Sequence, residues 1–182
     1  MERATNALYR LATLRNLLLA ILLSAVSVSI MGYLTETLVY GVYGDADMPD
    51  TMFSYTINEI TEAFNILGPE GLQTWLQVHM LDLIFPIGYS LSLVFGLALV
   101  IKAGALMTDK VRNLVWLPIF AAVADYIENG LVASQAVSYP NLSELIISIS
   151  SLVTAFKWTL LYLAFAMVFI LLIVAIYVRK KQ

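Results

Sequence analysis

The sequence predicts an all-α polytopic membrane protein, a four-transmembrane-helix bundle with an extra amphipathic interfacial helix between helices 1 and 2. Three observations predict it. The 182 residues are 60% hydrophobic with a mean hydropathy of +0.84, above the roughly half-apolar usage of soluble domains. Four apolar stretches each exceed the ~20 residues that cross a ~30 Å hydrocarbon core. Nine of the ten basic residues flank those stretches on what alternating crossings make a single side. The length fits one membrane domain, residues 1–182.

Span 1 covers residues 14–38 and follows Arg3, Arg10 and Arg15. A signal peptide would share that order, but no small-x-small cleavage site follows, so the span reads as a retained helix. Next comes an acidic segment holding Asp45, Asp47, Asp50, Glu59, Glu62 and Glu70 without one Lys or Arg. Within it Phe53, Ile57, Ile60, Phe64 and Leu67 recur at helical spacing, one apolar face over residues 51–67. Asp50 or Thr51 is the expected cap, and Gly68-Pro69 the stop. Such a helix lies flat at the outer interface or covers the bundle mouth.

Span 2 covers residues 70–101; Pro69 just before it suits the first turn of a new helix, with Glu70 near that helix's positive end. Span 3 covers residues 112–137 and span 4 residues 142–178, the latter opened by the capping-box pattern Asn141-Leu142-Ser143-Glu144. Lys102, Lys110 and Arg112 separate spans 2 and 3, while Arg179, Lys180 and Lys181 follow span 4. The positive-inside rule then puts both termini in the cytoplasm of a cell-membrane protein. Pro86 and Pro118 are expected to bend spans 2 and 3. Tyr33, Tyr40, Tyr43, Trp75, Tyr139 and Trp158 read as an outer aromatic belt.

The tenth basic residue, Lys157, lies inside span 4, and Glu36, His79, Asp82, Asp125 and Glu128 lie inside or beside the other spans. Ionisable groups at membrane depth usually face a bundle interior or a watery cavity. Counted from the inner basic residue of each span at ~1.5 Å per residue, Asp125 sits ~20 Å up, Glu128 ~24 Å, Asp82 ~30 Å, Glu36 ~31 Å and Lys157 ~33 Å, with His79 slightly higher. All six fall in the outer half. His79, Asp82, Pro86 and Tyr89 share one stripe of span 2; Pro118, Ala121, Asp125, Glu128 and Val132 share one of span 3, with Asn129 adjoining; Ser150, Thr154, Lys157 and Leu161 align in span 4. A polar pocket opening outward is expected, lined by Glu36, His79, Asp82, Tyr89, Asp125, Glu128, Asn129 and Lys157.

Lys157 against several carboxylates favours an ion pair with acid to spare. In a low-dielectric site a surplus acid tends to hold its proton. A neutral acid beside an ionised one suits general acid–base chemistry, with Asp82, Asp125, Glu128 and His79 as candidate catalytic groups. The chain has no cysteine and one histidine, so neither a thiolate nor a usual zinc site is expected. No Ca²⁺ loop, phosphate loop or basic nucleic-acid stripe appears. No metal, cofactor or nucleic-acid partner is therefore expected.

Leu81-Asp82-Leu83-Ile84-Phe85-Pro86-Ile87-Gly88-Tyr89 and Ala124-Asp125-Tyr126-Ile127-Glu128-Asn129 resemble the paired LDxxFPxxY and ADYxEN signatures of a prokaryotic family of small four-helix membrane proteins lacking an assigned function. The resemblance covers spans 2 and 3 plus Lys157, and implies a common bundle rather than an activity. The layout is also similar to the EXPERA family, which includes sterol isomerases: four helices, an outer segment before span 2, and acids on spans 2 and 3. That similarity implies a pocket for a lipid-like amine or sterol. Acid spacing and the position of Pro86 differ, so no catalytic residue carries over.

Three functions fit the pattern. The first is binding or processing of a lipid-like or amphipathic small molecule entering from the outer leaflet, with membrane lipid as partner. The second is a non-enzymatic scaffold or partner subunit, a homo-oligomer or part of a larger membrane assembly, whose charges fix helix register. The third, proton or cation transfer, needs a polar path that the apolar inner halves of the spans do not supply.

Overall fold

The computed structural model describes residues 2–180, without the side chain of Arg179. Lys181, counted above with the inner basic residues, lies outside them. The chain is all α, and among the described residues four helical stretches are long and apolar enough to cross a membrane: Leu14–Tyr43, Ile57–Ala103, Asp109–Ser138 and Glu144–Val178.

The first helix, α1 (Glu2–Leu11), is additional to the elements expected from hydropathy. It is too short to register as a span and buries only Thr5 and Tyr9. Partners from residues 102–116 hold it in place. Lys102 Nζ donates to the carbonyls of Tyr9 and Ala12, Arg112 donates to Asn6 Oδ1, and Trp116 Nε1 donates to Thr5 Oγ1 at 3.0 Å. The Arg112 guanidinium lies 5.4 Å from the centre of the Tyr9 ring. Basic residues distant in sequence thus gather at one end of the bundle.

Helix α2 (Leu14–Leu34) starts at Thr13, whose Oγ1 accepts from Asn16 N at 3.2 Å. It runs on through a π-helical stretch, Thr35–Tyr40. Its flank packs along the helix α4 (Phe85–Ala103). The approach is close: a Cβ on Gly88 would stand 2.7 Å from the Ser24 nitrogen. A small residue at such a crossing lets two backbones meet where lipid tails give helices no hydrophobic reason to associate.

Helix α3 (Ile57–His79) departs from expectation at its start. The cap is Thr56, neither Asp50 nor Thr51: its Oγ1 accepts from Glu59 N, and its own N–H donates to Glu59 Oε2 at 2.7 Å. Pro49–Thr51 forms a 3₁₀ turn, which leaves Phe53 outside the helix and 50% exposed. Gly68 breaks the helix at φ +63°, a left-handed conformation that glycine adopts without a Cβ penalty, and Pro69 opens the membrane limb. Ile60, Ala63, Phe64 and Leu67 of the outer limb join Trp75, Val132, Ala136 and Ile147 in one core. The amphipathic helix therefore covers the bundle mouth.

After His79 the chain tightens into a 3₁₀ turn, Met80–Leu83, and α4 begins with Pro86 in its first turn. Pro118 likewise sits in the first turn of α5 (Leu117–Ser138). Both prolines thus start helices instead of bending them midway, because the missing N–H has no intrahelical partner there anyway. Helix α6 (Glu144–Arg179) is 36 residues long and packs along α5. Its cap is Ser143, accepting from Ile146 N at 3.4 Å. The expected box with Asn141 as cap is replaced, because Gln135 Oε1 accepts from Ser143 N at 2.7 Å and fixes the chain two residues later.

Candidate functional site

Four segments bring their polar stripes together beneath the outer limb. His79 ends α3, Asp82 lies on the following 3₁₀ turn, Asp125, Glu128 and Asn129 line one face of α5, and Lys157 projects from α6. None of the six is more than 8% exposed. Their common facing follows from the helical stripes, and their contact from α3, α4, α5 and α6 meeting there.

The centre is an ion-pair cluster. Lys157 Nζ lies 3.3 Å from Asp125 Oδ1 and also pairs with Glu128 Oε2. Asp125 Oδ2 accepts from the Tyr89 hydroxyl of α4 at 2.8 Å. One acid therefore ties three helices. Glu128 is 1% exposed, and its Oε1 is buried without a hydrogen-bond partner. Removing either member of such a pair strands a charge, whereas the assembled pair contributes little net stability.

A second group adjoins one helical turn along α5. Asn129 Nδ2 donates to Asp82 Oδ2 at 2.6 Å, which turns its Oδ1 toward His79 Nε2 at 3.3 Å. Nε2 also lies 3.8 Å from Asp82 Oδ2. The imidazole stacks on Trp75 with ring centres 4.3 Å apart. Its Nδ1 faces Asp50 Oδ2 at 3.9 Å. A third group completes the layer: Tyr55 OH donates to Ser150 Oγ at 2.7 Å and accepts from Thr154 Oγ1 at 3.0 Å.

Seven of the eight expected site residues are thus brought together: His79, Asp82, Tyr89, Asp125, Glu128, Asn129 and Lys157. Glu36 is not; it is exposed on the π-helical stretch. Trp75, read as part of an aromatic belt, is instead 2% exposed and belongs to the site. Asp50 and Tyr55 were missed as site residues. Both lie on the irregular stretch before α3, where no periodicity assigns a face. The Ser150–Thr154–Lys157 stripe was the one available signal that something polar would meet α6 there.

The layer is packed rather than open to the outside, as the outer limb of α3 and the Asp50–Tyr55 stretch close it. A void of about 10 Å³ lies near Tyr55, Gln135 and Ser150, about the space of one water. Among the described residues no group of His, Asp and Glu is arranged to hold a metal ion.

The larger space lies on the lipid side. A cleft of about 450 Å³ runs between α2, α4 and α6, with Leu17, Ser24, Tyr89, Ser92, Gly96 and Phe169 among its walls. It falls within the ~300–1,000 Å³ range of small-molecule sites. Tyr89 belongs to both regions: it lines the cleft, and its hydroxyl is bonded to Asp125. Comparison of the chain with protein-family models, curated proteins and solved structures finds no match, so the site is read from its own geometry.

Proposed function

We propose that the chain is a multi-pass protein of the cell membrane, with both termini cytoplasmic, that binds or processes a lipid-like or amphipathic small molecule. The observation that carries this reading is Tyr89, shared between an apolar cleft facing lipid and a buried carboxylate–lysine cluster. An apolar cleft alone would hold any acyl chain. A cleft whose wall is hydrogen-bonded to Asp125 couples occupancy to the charge network, and offers a route for a proton to or from the ligand. Asp125, with Tyr89 as its contact to the cleft, is then the group best placed for acid–base chemistry, and Asp82 and His79 stand behind it.

The orientation draws support from Lys102 and Arg112 meeting the N-terminal helix at one end of the bundle, while Asp45, Asp47, Asp50, Glu59 and Glu62 occupy the other. Because the chain has no cysteine, single cysteines report it directly. Asp47→Cys is expected to react with a membrane-impermeant maleimide in intact cells, and Lys110→Cys only after lysis; the reverse pattern overturns the orientation.

Ligand binding is tested by extracting and weighing what co-purifies with the protein in lipid nanodiscs. A Cβ at Gly96 meets nothing within 4 Å, so Gly96→Leu fills the cleft without backbone strain. The expected result is one enriched lipid species that this substitution removes. An extract identical to bulk lipid for both proteins would sink the reading.

Close packing of the polar layer favours a second reading, a scaffold or partner subunit whose charges fix helix register. It predicts that Lys157→Met with Asp125→Asn keeps whatever function the protein serves and changes only stability.

A further inference from the structure

We infer that the face of α6 turned away from the bundle is the seam of a parallel twofold dimer, its occupant a second copy of this chain. Three facts lead to it, and none depends on the ligand proposed above.

The first is that part of this face lies where lipid does not cover it. Ile147, near the start of α6, belongs to one core with Ile60, Phe64 and Leu67 of the outer limb. That limb turns Asn58, Glu59, Glu62 and Asn65 outward, all exposed, so its layer is an aqueous one. On the other side of the same turns of α6, Leu145 and Leu152 are 70% and 73% exposed. Counted from Arg179 at ~1.5 Å per residue, Leu152 stands ~40 Å up and Leu145 ~51 Å, past a ~30 Å hydrocarbon core. Tilting the helix by ~40°, the upper end of ordinary tilts, still leaves Leu145 ~39 Å up. An apolar ridge standing in water marks a protein contact.

The second is its pattern. Leu145, Ile149, Leu152 and Phe156 recur at spacings of 4, 3 and 4, and Leu163 and Ile170 continue the repeat at intervals of seven. All six are exposed. A repeat averaging 3.5 residues keeps one seam against a neighbouring helix in a left-handed pair crossing at about 20°. Phe165, which lines the cleft, lies off this seam.

The third is what fits it. Helix α6 has 36 residues. A partner helix of ordinary span length, ~20 residues, would leave the ridge above the bilayer bare. A second α6, parallel in the same membrane, overshoots by the same amount and meets the first residue for residue. The seam residues carry no charge, so two identical faces meet without repulsion, as suits an isologous twofold contact. A strip ~50 Å long and ~10 Å wide buries ~500 Å² per copy, ~1,000 Å² in all, the area at which biological interfaces begin.

The chain has no cysteine, so single cysteines in the full chain test the seam by oxidative cross-linking in native membranes. Leu152→Cys, Thr159→Cys and Ala166→Cys, one heptad apart and all exposed, are expected to give a species of twice the chain mass. Phe165→Cys and Leu172→Cys, exposed but off the seam, are expected to lose it, since a disulfide needs Cα atoms within ~7 Å. Leu152→Lys sets like charges opposite each other and is expected to weaken dimerisation at least about tenfold, read by subunit counting in nanodiscs. Its thermal unfolding should match that of the wild type, because Leu152 is exposed within one copy. Leu145→Lys serves as the second variant should Leu152→Lys disturb the fold. Equal cross-linking at all five positions, or monomers at every protein density, overturns the dimer. A cross-linked species of any other mass means that something else occupies the seam, and overturns the second copy as its occupant.

Discussion

Where α3, α5 and α6 meet beneath the outer limb, the core holds Asp82, Asp125, Glu128 and Lys157; where α4 and α6 approach the end that carries Lys102 and Arg112, it holds Val94, Leu97, Ala98, Ile101 and Leu171. Both regions are densely buried, but they specify partners differently. Aliphatic side chains pack against any complementary surface, and lipid tails compete with them on nearly equal terms. Asp125 has no such freedom, because it must meet Tyr89 and Lys157 on two particular helices. The other half recovers specificity at its rim, where Lys102 reaches the carbonyls of Tyr9 and Ala12. Polar contacts choose the neighbours in this bundle and apolar contacts fill the space between them.

That contrast can be broken by mutation, and the largest effect belongs to the outer half. Lys157→Met is expected to destabilise by about 3–5 kcal/mol, since two buried carboxylates lose their cation. Adding Asp125→Asn and Glu128→Gln is expected to restore more than half of that loss, read by denaturant unfolding in micelles. If the triple variant is as unstable as the single one, the charges do not act as a unit. In the inner half, Leu97→Ala is expected to lose about 2–5 kcal/mol by the same measurement, a cavity effect that no second substitution of charge relieves.

A smaller effect is expected at the seam between α2 and α4. Gly88→Leu forces a side chain against the Ser24 backbone and is expected to lose about 1–3 kcal/mol, with α2 displaced, which cross-linking of cysteines at positions 24 and 92 would register. The smallest effect lies outside the membrane. Thr56→Ala removes the cap of α3 and is expected to lose about 1 kcal/mol. Hydrogen bonds from the Thr56 side chain and then its backbone hold the Glu59 carboxyl below its ordinary value of 4.5. Its contribution is therefore complete above that value and disappears as the pH falls through the lowered one. Thermal unfolding of the wild type should show this acid-side loss, and Thr56→Ala should flatten it.

Much of this was legible in the residues. Span lengths, the order of basic and acidic segments and the break at Gly68-Pro69 follow from hydropathy and local backbone preference. So does the placing of six ionisable residues in one half of the bundle, because helical rise converts residue number into height. Three things were not legible. Asp50 and Tyr55 carry no periodicity, so their contacts with His79 and Ser150 depend on how an irregular segment folds back. Glu36 has the right height but the wrong azimuth, and height alone cannot give azimuth once a π-helical stretch rotates the chain. Trp75 has the composition of an interfacial residue, yet the outer limb of α3 roofs it over.

The charged stripes and apolar spans by themselves determined that this chain forms a helical bundle with a polar layer near one face, because local hydrophobicity and a fixed rise per residue are properties of the chain alone. Only the tertiary structure decided that the layer is closed to the outside and meets, through Tyr89, a cleft on the lipid side. Closure and cleft arise from how separate helices cross, and crossings are set by side chains far apart in sequence, such as Gly88 against Ser24 and Asp125 against Lys157.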